Sequence, residues 1–387
     1  MLLKLSSQME IICNQNEFNY AIQLVSKAVA SRPTHPILAN LLLTADQGTN
    51  KISLTGFDLN LGIQTSFDAT VKKSGSITIP SKLLSEIVNK LPSETPVSIN
   101  VDEISDNISI KSDRGSFNLK GIPSEDYPNL PFVESGTSLS IDPSSFLKAL
   151  KLTIFASSSD DSKQLLTGVN FTFNLKYLES AATDGHRLAV VLVDNNENIE
   201  DKEDNLSVTI PTKSLREIEK LVSLSSSENS IKLFYDKGQL VFISSNQIIT
   251  TRTLEGSYPN YSQLIPDTFS KLFTFNTKKI IEALERIAVL ADQQSSVVKI
   301  KLGEKDLALI SADAQDIGSA NELVPVSFDF DQFDIAFNVR YLLEGLKVIS
   351  SENVIFKCNL STTPAVIVPD DDINSFTYLV MPVQVRS

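Results

Sequence analysis

The 387-residue chain has no tryptophan, two cysteines and two histidines. Cys13 and Cys358 stand far apart, so they form neither a CxxC or Cys/His zinc pattern nor a disulfide framework, and they point to a reducing, cytoplasmic setting. No apolar run approaches the roughly 18 residues that a membrane span needs. The start, MLLKLSSQMEIICN, lacks a sustained apolar core and a small-residue cleavage site, and does not read as a signal peptide. GxSxG and HExxH patterns are absent, and no metal or cofactor is expected. Positive charge is also short. Lys and Arg number 34 against 47 Asp and Glu, a net charge of −13, which on its face opposes nucleic-acid binding. What remains is an ordinary globular composition, 42% hydrophobic and 21% charged, long enough for two or three domains.

Long, degenerate repeats are present. ITIPSKLLSEIVNKL (77–91) resembles VTIPTKSLREIEKLV (208–222) and, more weakly, IAFNVRYLLEGLKVI (335–349). EDYPNLP (125–131) resembles GSYPNYSQLIP (256–266), and LTGFD (54–58), AATDG (181–185) and ISADA (310–314) recur in step. A period near 130 residues is that of a domain, not of a solenoid unit. The reading is three similar domains, 9–131, 137–261 and 262–387, with 1–8 an N-terminal extension and Met9 a candidate initiator. Each copy carries two amphipathic helices among strand-like runs such as VNFTF, LAVVLV, IKLFY, LVFISS and VVKIKL. The fold class is α+β with six helices, spanning 15–32, 80–91, 142–158, 211–225, 276–292 and 338–349, with Pro80 and Pro211 in the first helical turn.

The acidity is uneven. Those six segments carry a net +5 and the remainder −18. At about 100° per residue, Lys213, Arg216 and Lys220 share one helical face, opposite Leu215, Ile218 and Val222. Any one such face is ordinarily just solvated; its repetition suggests a common, mildly basic surface. Packed helices lie about 8–10 Å apart, so a ring of six leaves a bore below ~10 Å, whereas twelve leave roughly 20–28 Å. Only twelve admit a DNA duplex, which requires two chains closed head to tail. Weak phosphate attraction inside permits sliding, and acidic outer walls discourage wrapping.

Together ATDGHRLA (182–189), the IPxK helices, RPTHPIL (32–38), LTGFDL (54–59), FNVxYLL (337–343) and YLVMPV (378–383) resemble the β-subunit family of bacterial DNA polymerase III, the sliding clamps, from about Met9 to Val383. The resemblance implies DNA-clamp domains with helices inside and sheets outside, a head-to-tail homodimeric ring around duplex DNA, and no nucleotide or other cofactor. It implies partners: a clamp loader, the polymerase III catalytic subunit, repair polymerases, mismatch-repair proteins and ligase. It also implies a cleft between the second and third domains that receives a short peptide, usually a Gln followed by Leu and Phe-like anchors. Carried over by position, the cleft comprises Leu166, Thr183, Gly185, His186, Arg187, Leu188, Pro259, Leu264, Asn338, Tyr341, Thr362, Pro364, Leu379, Val380, Met381 and Pro382. Gly185 lets a backbone approach closely, Leu188 is an apolar wall, and His186 and Arg187 are donors. Gln263 stands where the family often has Arg, Ser295 near a usual aromatic, and Val383–Gln384 in place of a final Met-Arg. The dimer contact implied is Phe117 and Leu119 against Val289 and Leu290, with Arg114 and Asp316 as charges that pair across it, although exposed pairs contribute little. The DNA contacts chosen are Arg32, Lys82, Lys163, Lys213 and Lys220.

The residues leave other readings open. Asp184, His186 and Arg187 are the material of a hydrolase, although neighbours in sequence rarely make a catalytic set and an ordinary hydrogen-bonded turn explains them as well. His35, in a proline-bounded loop, reads as structural. The alternative to a ring is a three-domain adaptor that binds peptides and never encircles DNA.

Overall fold

The computed structural model describes residues 8–384 except 31, 103–104, 114, 134–135, 174–176, 195–205, 225–230, 245, 292–295, 305, 315–316 and 372–374. Arg114, Asp316 and Ser295 therefore lie outside the described residues.

Six α-helices form among the described residues: α1 (Gln15–Val25), α2 (Ser81–Val88), α3 (Pro143–Thr153), α4 (Thr212–Leu224), α5 (Thr277–Ala291) and α6 (Val339–Leu346). Local chemistry starts them. Asn14, Asp142 and Asn338 accept hydrogen bonds from the first free amides of α1, α3 and α6. Two expectations are corrected. Pro80 and Pro211 end the preceding strands and stand just before α2 and α4. The first helix does not reach residue 32: α1 tightens into a 3-10 turn, Ser26–Ala28, and Val29 is extended. The Arg32–Pro33 pair beyond disfavours helix in any case. On α4, Leu215, Ile218, Leu221 and Val222 are buried and Lys213, Arg216 and Lys220 exposed, as the periodicity requires.

The chain divides into two compact units: Met1–Ile141 with Arg216–Thr253, and Asp142–Leu215 with Leu254–Ser387. The middle repeat is thus shared, because its strands continue the sheets of both neighbours. In the first unit, Gln247–Arg252 pairs antiparallel with Leu61–Asp68 within an eight-stranded sheet, beside a five-stranded sheet. In the second, Arg187–Asp194 pairs antiparallel with Phe376–Val380, joining middle and last repeats into a twelve-stranded sheet. Both seams are backbone ladders, and an apolar cluster seals the second. At the second, Leu188, Val366, Val368 and Leu379 form the core, with Tyr261, Ile265 and Phe269 packed against it.

Candidate peptide-binding site

The segment between the strands Tyr177–Thr183 and Arg187–Asp194 is a hairpin, closed by the pair Thr183 and Leu188. Its aspartate shapes it. Asp184 Oδ1 accepts the amides of His186 (2.8 Å) and Arg187 (3.1 Å). Thr183 Oγ1 accepts the Gly185 amide (3.1 Å) and donates to the Arg187 carbonyl. Gly185 has φ +94, a conformation that side chains resist, which is why glycine stands there. Met381 donates its amide to the His186 carbonyl (2.9 Å), tying the tail to the hairpin.

Arg187 is the centre of the arrangement and only 7% exposed. Its Nε donates to Asp184 Oδ2 (3.1 Å), Nη1 to Glu344 Oε2 (2.5 Å) and Nη2 to the Phe155 carbonyl (2.7 Å). The guanidinium carbon lies 4.7 Å from the Tyr341 ring centre and 5.5 Å from that of Phe155. Burial works against this charge, but Tyr378, Glu344 and Asp184 outweigh it and raise the pKa above its ordinary value. Arg187 therefore does not stand as a donor awaiting a ligand; it braces the hairpin against α3's end and α6. Tyr378, buried, supports the same joint: its hydroxyl donates to the Tyr341 carbonyl (2.7 Å), and its ring fills the space that a side chain at Gly345 would need.

The residues expected at a cleft differ in burial. Leu188, Leu379, Val380 and Thr183 are buried; Leu188, 1% exposed, belongs to the core rather than to an open wall. Gly185, His186, Pro259 and Thr362 are exposed, as are Leu264 (53%) and Met381 (40%), while Leu166, Tyr341, Pro364 and Pro382 are half-buried. The His186 ring stacks near Tyr341, 6.1 Å between centres. Asn338 contributes as the α6 cap, its Oδ1 accepting from Arg340 (2.9 Å) and Tyr341 (3.4 Å). Pro364 falls beside the tail because Ala365 pairs with Val380. Three partners escaped the sequence reading: Tyr258, whose hydroxyl accepts the Thr183 amide (3.0 Å), the Phe155 carbonyl, and Glu344. The recurring YPN, at 127–129 and 258–260, was the available signal for Tyr258. Burial lifts the Tyr258 phenol to about 12 and raises Tyr341 and Tyr378 also, so all three remain neutral.

The DNA candidates are differently placed. Arg32, Lys82 and Lys213 are exposed. Lys220 pairs with Glu217 at 3.0 Å, which offsets its charge. Lys163 donates to the Asp184 carbonyl (3.0 Å), so it belongs to the hairpin's surroundings. Of the apolar dimer positions, Val289 (72%) and Phe117 are exposed and Leu290 half-buried, but Leu119 is in the sheet core. No group of three or more His, Cys, Asp or Glu among the described residues is arranged to hold a metal, and no described helix is long and apolar enough to cross a membrane.

Repeated α+β domains whose sheets run through their junctions, with an apolar-rimmed hairpin at the second, define a three-domain clamp. Family models of the DNA polymerase III beta subunit match 9–131 (N-terminal domain), 140–260 (central domain) and 262–384 (C-terminal domain). The beta sliding clamp of Synechococcus elongatus is 45% identical over 380 residues, covering 98% of this chain and 100% of that one; the beta sliding clamp of a Synechocystis species is 40% identical over 390 residues, 97% and 99%. The crystal structure of the Bacillus subtilis DNA polymerase sliding clamp superposes with a TM-score of 0.91 at 28% identity, covering 98% of this chain and 100% of that one. The chain belongs to the DNA polymerase III beta subunit family and functions as a DNA sliding clamp.

Proposed function

We propose that two copies close head to tail into a ring around duplex DNA, and that the cleft at Thr183–Leu188 holds short peptides from the proteins the ring carries along. The loader, the polymerase catalytic subunit, repair polymerases, mismatch-repair proteins and ligase are the partners proposed. The observation that carries the reading is the rim itself: exposed Leu264 and Met381 beside a hairpin whose shape is fixed by its own hydrogen bonds. Exposed apolar side chains beside a hairpin of fixed shape offer contacts to apolar anchors with little ordering to oppose binding. The ring is proposed to be non-catalytic. Asp184 is taken up by two amides and Arg187, and His186 lies against Tyr341, which favours a binding role over an acid–base one.

Closure is supported by two sheet edges. Gly115–Lys120, which carries Phe117, ends the five-stranded sheet. Gly318–Phe328 pairs along its first part with Leu307–Ala314 and meets Lys271–Asn276 only from Val326 onward, which leaves exposed Leu323 on its other edge. Exposed edges with apolar residues call for a cover, and a second copy supplies it. Sedimentation of purified protein is expected to give a dimer, and loaded protein to remain on circular but not linear DNA. A monomer at micromolar concentration that still binds peptide would instead identify the adaptor. Leu264→Ala with Met381→Ala is expected to weaken binding of a peptide with Gln, Leu and Phe anchors at least tenfold; unchanged affinity would remove the cleft from the account.

A further inference from the structure

Beyond the tail lies a recess of about 450 Å³ with a different chemistry. Its floor is the strand Val297–Glu304, between Leu307–Ala314 and Phe333–Asn338. Alternation sends Val298, Ile300 and Leu302 into the core and turns Lys299 and Lys301 outward. Register sets Lys299 between Ser311 and Ala336, and Lys301 between Leu309 and Asp334. Two ammonium groups thus share the recess with one carboxylate, in a chain whose net charge is −13. Neither lysine has an ion-pair partner among the described residues.

The recess and the cleft share a wall. Met381 donates its amide to His186 on the cleft side; Val383 donates to Ala336 (2.8 Å) on the recess side. Two residues of chain span at most about 7 Å. Thr362, on the cleft rim, also lines the recess. A peptide lying across the tail reaches the lysines within about three residues of its anchors.

We propose that the recess receives an acidic residue flanking the anchors of the docked peptide; this rests on the cleft reading above. A nucleic-acid phosphate suits the site less well, because Asp334 faces into it and Leu309 and Val383 give it apolar sides.

The test is fluorescence anisotropy of the full chain with a labelled peptide carrying Gln, Leu and Phe anchors, extended at either end by two glutamates or two glutamines. One glutamate-extended peptide is expected to bind about three- to tenfold tighter than its glutamine counterpart at about 50 mM salt. The preference should fall below about twofold at 0.5 M salt. Lys299→Gln with Lys301→Gln should abolish the preference yet bind the glutamine peptides as before, with an unchanged melting curve. Asp334→Asn should widen the preference. If neither glutamate peptide gains, or the gain survives in the double lysine variant, the proposal is overturned. It is overturned equally if the lysine variant weakens DNA binding and leaves the peptide preference intact. Failure of the glutamine peptides to bind at all, or indifference to Met381→Ala, would instead bring down the cleft reading and this proposal with it.

Discussion

Replacing Arg187 by alanine separates two roles for the same side chain. If it braces the joint, the variant loses stability first and peptide affinity only in consequence. The losses can be summed from its contacts. The Phe155 carbonyl loses a charged donor inside the protein, about 1–2 kcal/mol. Asp184 keeps its two amide donors and loses one bond, about 1 kcal/mol. Glu344 is 47% exposed and rehydrates, so its share is below about 0.5 kcal/mol. The Tyr341 and Phe155 rings lose a cation, about 0.5–1 kcal/mol. The total is about 3–4 kcal/mol. At about 2–4 °C per kcal/mol for a unit of roughly 200 residues, Tm falls by about 6–16 °C. Arg187→Lys keeps the charge, but one ammonium cannot serve three separated acceptors, and it should restore less than half. The assay is differential scanning fluorimetry beside peptide anisotropy at 20 °C, where the variant stays folded. A Tm change below about 2 °C together with lost peptide binding would refute the bracing role and return Arg187 to the donor role expected from sequence.

Three further outcomes follow from other contacts. Gly345→Ala places a methyl 2.0 Å from Tyr378 Cε1, and urea unfolding should show a loss of about 2–4 kcal/mol. Asp142→Ala removes the α3 cap and should lose about 1 kcal/mol at pH 7. Burial acts most strongly on that carboxyl and would raise its pKa, but bonds from Ser144 and Ser145 together hold it below the usual carboxylate value. Its contribution is therefore complete above about pH 4 and disappears as pH falls through the lowered value; Asp142→Asn should keep the cap and flatten that dependence. Cys13 and Cys358 are buried, and burial, the largest influence on each, lifts both thiols to about 12. A thiol reagent at pH 8 should label neither in the native protein and both in guanidinium; rapid native labelling would show that the units open readily.

Helix existence and the repeat were legible because both are local and periodic: Phe18, Ile22 and Val25, or Leu215, Ile218 and Val222, recur at helical spacing and are buried. The sheet seams were not. The partner of Arg187–Asp194 is Phe376–Val380, almost two hundred residues on, and nothing in either strand names the other. The same distance hid the role of Arg187. Its partner Glu344 lies 157 residues further on, on α6. Alternation cannot distinguish a leucine that floors a cleft from one that rims it, so Leu188 and Leu264 looked alike until the fold buried the first and exposed the second. Lys163 looked like a free surface charge because its acceptor is a backbone carbonyl, invisible to any count of side chains.

Two hairpins of one design stand at the first and second junctions, with different side chains set around them. In the first repeat Asp58 Oδ1 accepts the amides of Asn60 (3.0 Å) and Leu61 (2.8 Å), the same offsets by which Asp184 holds His186 and Arg187. Leu59 has φ +76 where Gly185 has +94, and Tyr127 donates to the Thr55 carbonyl (3.3 Å) where Tyr258 accepts from Thr183. The backbone device is therefore common, and the side chains set on it decide the outcome. The place of Leu188 is held by Gly62, and Leu130 of the same chain packs so closely there that a Cβ on Gly62 would come within 2.4 Å of it. The first hairpin is filled by its own linker. At the second, Leu188 fills the floor from within, Leu264 is left at the surface, and the positions of Asn60 and Leu61 become His186 and Arg187, with Tyr341 beside them. The same turn is thus packed against its own linker in one repeat, and in the next is braced by a buried arginine with exposed apolar side chains nearby.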